Sequence, residues 1–331
     1  MITIMKKCCF IIPYFGNFPN YFSLFLKTCS WNKDFNWLII TDNNVLYDYP
    51  DNFKVVKMSF EKLKFLFQSK FDFNIKLDTP YKLCDYKPAY GYLFEDYIKD
   101  FKYWGHCDVD TIIGNLSQFL TPIFDAEYDK IFCLGHMTLY KNSIENNRVF
   151  MSNFNGRELY KEVFSSSNIC WFDETWKDEN NINEIFKSLG KKIYEKDLSF
   201  NIYIPHVNFI RTTYVGKDQI NDGHGYSNEN FKKAIYVWDS GNLYRVLKKE
   251  EKILKEEFLY MHFQYRKMEY SQLLNTDKKI KIIPNKFLPL EVDRITVENF
   301  DKIKKSSICF HYVYAVLLPK FRRLLKKIKN I

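Results

Sequence analysis

The chain has 331 residues, 46% of them hydrophobic and 18% aromatic, with only 11 Gly and 10 Pro, so it can bury a large core and is not a disordered polymer. Its net charge is +9, but residues 301–331 hold nine Lys/Arg against one Asp, which leaves the other 300 residues at +1. A nearly neutral body argues against a nucleic-acid groove and puts the positive charge in the tail.

Met5 to Ile12 reads as a first core strand. The apolar run is too short for a signal peptide, has no small-residue cleavage site, and is broken by Pro13-Tyr14-Phe15-Gly16. The stretch from Asn20 to Ser30 predicts a helix with a loosely one-sided apolar face. Trp37 to Ile40 predicts a second strand that ends in Thr41-Asp42-Asn43, Phe53 to Met58 a third, and Glu61 to Lys70 another helix. Strand alternating with helix predicts an α/β fold with a parallel sheet. Ligands of such sheets sit beyond the carboxyl ends of the strands, where Tyr14, Asp42 and Asp108 fall.

In Lys82-Leu83-Cys84-Asp85-Tyr86-Lys87-Pro88, Asp85 can cap a helix running to about Ile98, with Pro88 in its first turn. Lys82 and Lys87 beside that helix start suit a phosphate, or are simply exposed lysines at an ordinary cap. Phe101 to Trp104 then reads as a buried strand leading into Trp104-Gly105-His106-Cys107-Asp108-Val109-Asp110. Two carboxylates one residue apart at a strand end can hold Mg²⁺ or Mn²⁺, which prefer oxygen ligands and accept phosphate oxygens too. A solvated turn carrying two aspartates is the other reading.

Lys130 to Leu134 predicts a further strand, and the Gly135-His136 segment after it can line an acceptor pocket or be structural. Arg157 to Phe164 predicts a short helix. Cys170-Trp171-Phe172-Asp173-Glu174 places two acids behind aromatic residues, as a general base, as binders of sugar hydroxyls, or as a solvated loop. Asn181 to Leu189 predicts a helix stopped by Gly190, and residues 195–233 are polar and irregular. Ala234 to Leu247 reads as a hairpin turning at Asp239-Ser240-Gly241-Asn242. Glu257 to Met261 predicts a strand ending in His262-Phe263-Gln264-Tyr265-Arg266-Lys267-Met268. His262 at that strand end can be a third metal ligand or a satisfied buried histidine, and Arg266 and Lys267 can hold a diphosphate. From 310 to 331, Phe321, Leu324, Leu325 and Ile328 stand among six Lys/Arg, the composition of a basic amphipathic helix on an anionic membrane surface; a solvated terminal helix is the alternative. No apolar run approaches the ~20 residues of a bilayer span. The eight cysteines include no C-x-x-C pair and read as reduced thiols of a cytosolic protein.

The stretches 10–16, 82–88, 104–110 and 262–268 together resemble a bacterial family of glycosyltransferases found in gene clusters for capsule, lipopolysaccharide and other surface polysaccharides, the Trp-Gly-x-Cys-Asp-x-Asp string being the most specific part. More distantly, the layout is similar to nucleotide-sugar glycosyltransferases of the GT-A fold. That resemblance implies a Rossmann-like, mostly parallel sheet flanked by helices. It implies a catalytic domain over 1–268, with a nucleotide-sugar half over 1–120 and an acceptor half over 121–268, a capping or linking segment over 269–309, and the basic tail over 310–331. It makes Asp108, Asp110 and His262 the ligands of Mn²⁺ or Mg²⁺, with Lys267 on the diphosphate and Tyr14 and Asp42 at the nucleoside. The Gly and the Lys-Pro-Trp ending that follow the late His in the retaining branch are absent here. Asp173 or Glu174 serves as base if the reaction inverts and only binds the acceptor if it retains. The expected protein moves a sugar from a nucleotide sugar to a glycan or lipid-linked acceptor and works peripherally at the inner face of the cell membrane. The competing classes are another metal enzyme acting on phosphate esters, such as a nucleotidyltransferase or nuclease, and a non-catalytic membrane-associated scaffold.

Overall fold

Successive residues of the first strand feed two different cores. In β1 (Lys6–Pro13), Cys9 and Ile11 enter one cluster while Cys8, Phe10 and Ile12 enter another, the two-residue period of extended chain. Both faces are buried because the strand is central, which is why its sequence is a continuous apolar run. The computed structural model describes residues 5–307 except 177–178, 205–206, 217–218, 220–223, 231 and 265, together with 317, 318 and 321. The basic tail expected over 310–331 otherwise lies outside the described residues.

From β1 the chain passes through α1 (Phe22–Ser30) to β2 (Phe35–Thr41), then β3 (Phe53–Lys57) and α2 (Phe60–Gln68), where Ser59 caps the helix by accepting the Lys62 N–H. The expected helix over 85–98 is instead a series of short turns, α3 (Leu83–Tyr86), a 3-10 turn over 87–89, α4 (Tyr90–Leu93) and α5 (Glu95–Ile98). Pro88 and Gly91 weaken any continuous helix here. Gly91 also presses on Trp104, where a Cβ would stand 2.3 Å from the indole. β4 (Phe101–Cys107) then lies beside β1, with Phe10 paired to Gly105 on one side and Trp37 on the other.

After β5 (Thr111–Ile113) and α6 (Leu116–Asp125), the hairpin of β6 (Lys130–Leu134) and β7 (Met137–Lys141) adds antiparallel strands to β4. α7 (Leu159–Phe164), α8 (Ile182–Ser188) and β8 (Ile193–Tyr194) follow. The seven-stranded sheet has the order β3-β2-β1-β4-β7-β6-β8, parallel from β3 to β4 and mixed beyond. The direction of winding reverses between β1 and β4, the place where open α/β sheets form a ligand crevice.

The polar stretch 195–233 supplies β9 (Ser199–Ile202), β10 (Arg211–Tyr214) and β11 (Tyr226–Asn228). The expected hairpin forms as β12 (Ile235–Asp239) and β13 (Asn242–Lys249), with φ of 48° and 90° at Ser240 and Gly241, as a tight turn of this hand requires. The strand expected over 257–261 is split in two. β14 (Lys252–Phe258) pairs with β13, whereas β15 (Tyr260–His262) leaves that sheet to lie between β9 and β5. The second sheet is thus β11-β10-β9-β15-β5. β16 (Lys279–Ile283) and β17 (Lys286–Pro289), from the segment expected to cap or link, complete a third sheet, β14-β13-β12-β16-β17. A core of Ile112, Phe200, Met261, Tyr236, Trp238 and Ile280 lies between the second and third sheets, and Phe300 and Ile303 cover Val237 and Val246 on the far face.

Candidate active site

Three strand ends converge beyond the central crevice. β4 delivers Asp108, a turn closed by Thr111 Oγ1 donating to the Asp108 carbonyl at 2.8 Å carries Asp110 into β5, and β15 places His262 opposite Thr111. The Phe263 N–H donates to the Asp110 carbonyl at 3.0 Å, which locks the end of β15 to the turn. One carboxylate oxygen from each aspartate and one ring nitrogen of His262 lie within 4.8 Å of one another. His262 Nε2 is 3.5 Å from Asp110 Oδ1 and 3.7 Å from Asp108 Oδ2.

The orientation of the imidazole is set from behind. Asn201 Oδ1 lies 3.0 Å from His262 Nδ1 and accepts from Gln264 Nε2 at 2.7 Å. An oxygen serving as acceptor takes the Nδ1 proton, which leaves Nε2 as the nitrogen facing the carboxylates. Burial lowers the His262 pKa, but Asp110 and then Asp108 outweigh it and the net shift is upward. Two carboxylates and an oriented imidazole, with the Asp108 side chain 34% exposed against 9% for Asp110, form an open-sided set. Such a set fits Mn²⁺ or Mg²⁺ with room for substrate oxygens.

Lys87 joins this triad to the acid pair predicted from the sequence. Its Nζ lies 3.1 Å from Asp108 Oδ1, 2.7 Å from the Gly135 carbonyl and 3.4 Å from Asp173 Oδ2. Burial opposes the ammonium, but Asp108 and Asp173 hold its pKa well above the usual lysine range. Burial drives the Asp173 pKa up against the pull of Lys87, with Glu174 adding to the rise. The Glu174 pKa is also raised, chiefly by burial, and Oε2 accepts the Gly135 N–H at 3.2 Å. Position 135 has no room for a side chain: a Cβ there would stand 2.8 Å from Asp173 Oδ2 and 3.0 Å from Glu174 Oε2.

His136 is buried, with its ring centroid 4.5 Å from that of His262 and its Nδ1 2.6 Å from the Tyr260 hydroxyl. Burial, then His262 and Lys87, hold its pKa well below the usual range, so it is a neutral wall behind the triad. Tyr14 flanks the site at the end of β1. Burial raises its pKa first, followed by Asp110 and Asp108. Asp42 accepts the Gly16 N–H at 2.9 Å, and Asn43 donates to the Gly16 carbonyl at 2.9 Å, so the loops after β1 and β2 are pinned together at the crevice.

Lys82 and Arg266, expected at a phosphate, and Asp85, expected as a helix cap beside it, belong elsewhere. Lys82 and Asp85 form a fully buried ion pair at 2.8 Å. Lys82 also donates to the Val163 and Asn168 carbonyls, and Asp85 accepts from the Cys170 and Phe172 N–H groups. The pair ties the short turns of 80–98 to the loop that presents Asp173, and its charges are spent there. Arg266 is buried, donates to the Val207 carbonyl and lies 5.0 Å over the Phe209 ring, bracing the loop after β9. Lys267 is exposed beside it. Sequence reasoning missed Asn201 and Gln264. Asn201 sits in a polar stretch with no motif, and only the register of β9 with β15 sets it opposite His262. A separate cleft of about 1110 Å³ near the start of β9, lined by Glu195, Arg211, Tyr214 and Phe258 among others, contains no member of the triad.

No curated protein matches the chain. Among solved structures it is similar to the galactosyltransferase LgtC in complex with donor and acceptor sugar analogues, at 11% identity and a TM-score of 0.34, over 59% of this chain and 75% of that one. An active-site mutant of LgtC aligns with the same identity and TM-score over 59% of this chain and 74% of the other. Likeness of this degree fixes neither fold nor reaction. A family model matches residues 10–291, a span that holds the triad, Lys87 and the acid pair, and the chain belongs to that family, the family of unknown function DUF6625.

Proposed function

We propose that the chain is a metal-dependent glycosyltransferase that takes a sugar from a nucleotide-diphosphate sugar, with UDP-sugars first among the candidates, and passes it to a glycan or lipid-linked acceptor in bacterial surface-polysaccharide synthesis. The observation that carries this reading is the junction of two sites through one lysine: Asp108, Asp110 and His262 on one side of Lys87, Asp173 and Glu174 on the other. A divalent cation in such a triad supplies neutralisation of the negative charge that grows on a leaving diphosphate. Lys87 adds a fixed positive charge at the same edge and holds Asp173 in place. The raised pKa values of Asp173 and Glu174 suit groups that share or take the proton of an acceptor hydroxyl. Tyr14 and the pinned loops after β1 and β2 offer the nucleoside wall. The basic tail and the expected position at the inner face of the membrane belong to the same reading.

The test is a thermal-shift screen with UDP-, GDP-, CMP- and dTDP-sugars, each with Mn²⁺ and with EDTA, on the wild type and on Asp110→Ala. One nucleotide class should raise Tm with Mn²⁺ only, and the rise should vanish in the variant. A wild type that responds to none of the four, or an Asp110→Ala variant that responds equally, removes the nucleotide-sugar reading.

A further inference from the structure

The acid pair leans on a stretch of β6 that also borders the separate cleft. Glu174 accepts from the Gly135 N–H, and the Thr175 N–H donates to the Cys133 carbonyl at 3.1 Å. Asn183 Nδ2 donates to that carbonyl and to Thr175 Oγ1, which fixes the loop. Cys133 Sγ donates to Glu195 Oε1 at 3.6 Å, and Glu195 lines the cleft. Trp176, the next residue of the loop, is 41% exposed. Its indole stacks on His224 at 5.0 Å and meets Tyr226 edge-on at 5.6 Å, and its carbonyl accepts from His224 Nδ1 at 2.8 Å. Tyr226 packs edge-on against Tyr214 at 5.4 Å, and Tyr214 is a wall of the cleft. Burial first, then Glu174 and Asp197, raise the Tyr226 pKa, which sets this ring between the acid pair and the cleft. A line of aromatic contacts thus runs from Tyr214 in the cleft to Trp176 beside Glu174.

The chemistry of the cleft selects its occupant. At about 1110 Å³ it exceeds the ~300–1,000 Å³ of a site for one small molecule. Its lining holds six carboxylates against three cations, which argues against a phosphate or a nucleotide. Most of those carboxylates are already paired. Glu195 and Glu184 hold Lys187 at 2.9 Å and 3.4 Å, Glu256 holds Arg245 at 2.6 Å, and Glu257 accepts from Gln118 Nε2 at 2.8 Å. Asp197 accepts from Ser199 Oγ at 2.6 Å and from the Ser199 and Tyr214 N–H groups. Pairing leaves little free negative charge for a cation. A carboxylate accepts at about four sites, however, so the paired acids keep lone pairs for hydroxyl groups. Phe119, Tyr214 and Phe258 add apolar faces. Acceptors beside apolar faces match a ligand with C–H faces and O–H edges, which is a neutral sugar chain.

We infer that the cleft binds a run of neutral sugar units, and that the same glycan passes over Tyr226 and Trp176 to bring its end to Asp173 and Glu174. The indole gives the end sugar a flat apolar wall next to the acids, and its contacts with His224 and Tyr226 keep that wall rigid. Cleft and indole are then two contacts on one chain, so a glycan long enough to reach both binds far more tightly than a single sugar. The sugar site stands on its own geometry. Its role as the seat of the acceptor rests on the glycosyl-transfer reading, within which it selects an extended glycan as the acceptor.

The experiment is calorimetric titration of the full chain in EDTA, without nucleotide sugar. The probes are maltohexaose, cellohexaose and the hexamer of N-acetylglucosamine, each beside its monosaccharide, with spermine as a cationic control. At least one hexamer should bind about ten-fold or more tightly than its monosaccharide. Thr213→Trp, which fills the cleft from β10, should abolish that gain. Trp176→Ala should weaken the hexamer about ten-fold, the worth of one stacked ring. Both variants should keep the wild-type melting curve; if Thr213→Trp does not fold, Glu257→Ala in the cleft wall carries the same test. Failure of all three hexamers to bind overturns the inference, as does binding that these variants leave unchanged. Binding of spermine alone also overturns it and makes the cleft a cation site. Hexamer binding by a protein with no nucleotide-sugar response leaves the sugar site standing and removes only its acceptor role. A nucleotide-sugar response without hexamer binding removes the sugar site and leaves the transferase.

Discussion

At position 135 the backbone is bare because two carboxylates occupy the space of a side chain. A methyl group there would meet Asp173 Oδ2 at 2.8 Å and Glu174 Oε2 at 3.0 Å, and the same residue's carbonyl takes the Lys87 ammonium at 2.7 Å. Gly135→Ala should push the acid pair away from Lys87 by a few tenths of an ångström or more while the triad, which makes no contact with that methyl, keeps its geometry. Misplacement on this scale costs about 10²-fold in a reaction that depends on alignment. The expected result is a fall in transfer rate of that order with Mn²⁺ affinity held within a few-fold of wild type; loss of both together would mean that Gly135 is needed for folding rather than for alignment. The residues of the triad are legible in the sequence because each sits at the end of an apolar run. Lys82, Asp85 and Arg266 mislead because residue type does not tell a buried charge from an exposed one. Only the packing shows Lys82 against Asp85 at 2.8 Å and Arg266 over Phe209.

The strand β4 owes its position to an element that fails to be a helix. The turns of 83–98 bring Gly91 against Trp104, which is fully buried, donates from Nε1 to Asn147 Oδ1 at 2.7 Å and stacks on Tyr140 at 4.4 Å. An indole held on two sides cannot retreat from a new methyl group. Gly91→Ala should therefore destabilise the protein by about 1–3 kcal/mol despite the better helix propensity of alanine. Chemical denaturation should show a lower midpoint at unchanged m-value; a midpoint equal to or above wild type would show that the turns can slide over Trp104. This is also why the sequence predicts one helix over 85–98: the Asp-x-x-Pro start and the helical spacing are local, while the wedge that breaks it comes from another strand. The parallel strands β1 to β4 and the hairpin of β12 and β13 are legible because their signals, apolar runs and a Ser-Gly turn, are local. Short polar strands such as β9, and the departure of the chain from β14 to β15 at Leu259, depend on pairing with distant partners and leave no mark in the sequence around them.

Across the whole molecule, the triad links stability to protons and to cations with opposite signs. In the absence of metal, the raised pKa of His262 means that the folded protein holds this proton more tightly than the unfolded chain does. Its contribution to stability is complete below the unfolded value of about 6.5 and is lost as pH rises through the higher folded value. A divalent cation needs the same Nε2 without its proton, so its contribution runs the other way, weak where the imidazole is charged and full above the folded pKa. At a free concentration of 100 times Kd, a cation that binds only the folded state adds about 2.7 kcal/mol. Tm measured with Mn²⁺ minus Tm measured with EDTA should therefore be small near about pH 5.5 and climb toward about pH 8, across the range in which histidines exchange protons. In His262→Ala the climb should flatten, because the competing proton is gone together with one ligand. A difference that stays constant or shrinks with pH in the wild type would show that the cation does not use His262, and the two aspartates would then have to hold it with oxygen ligands alone.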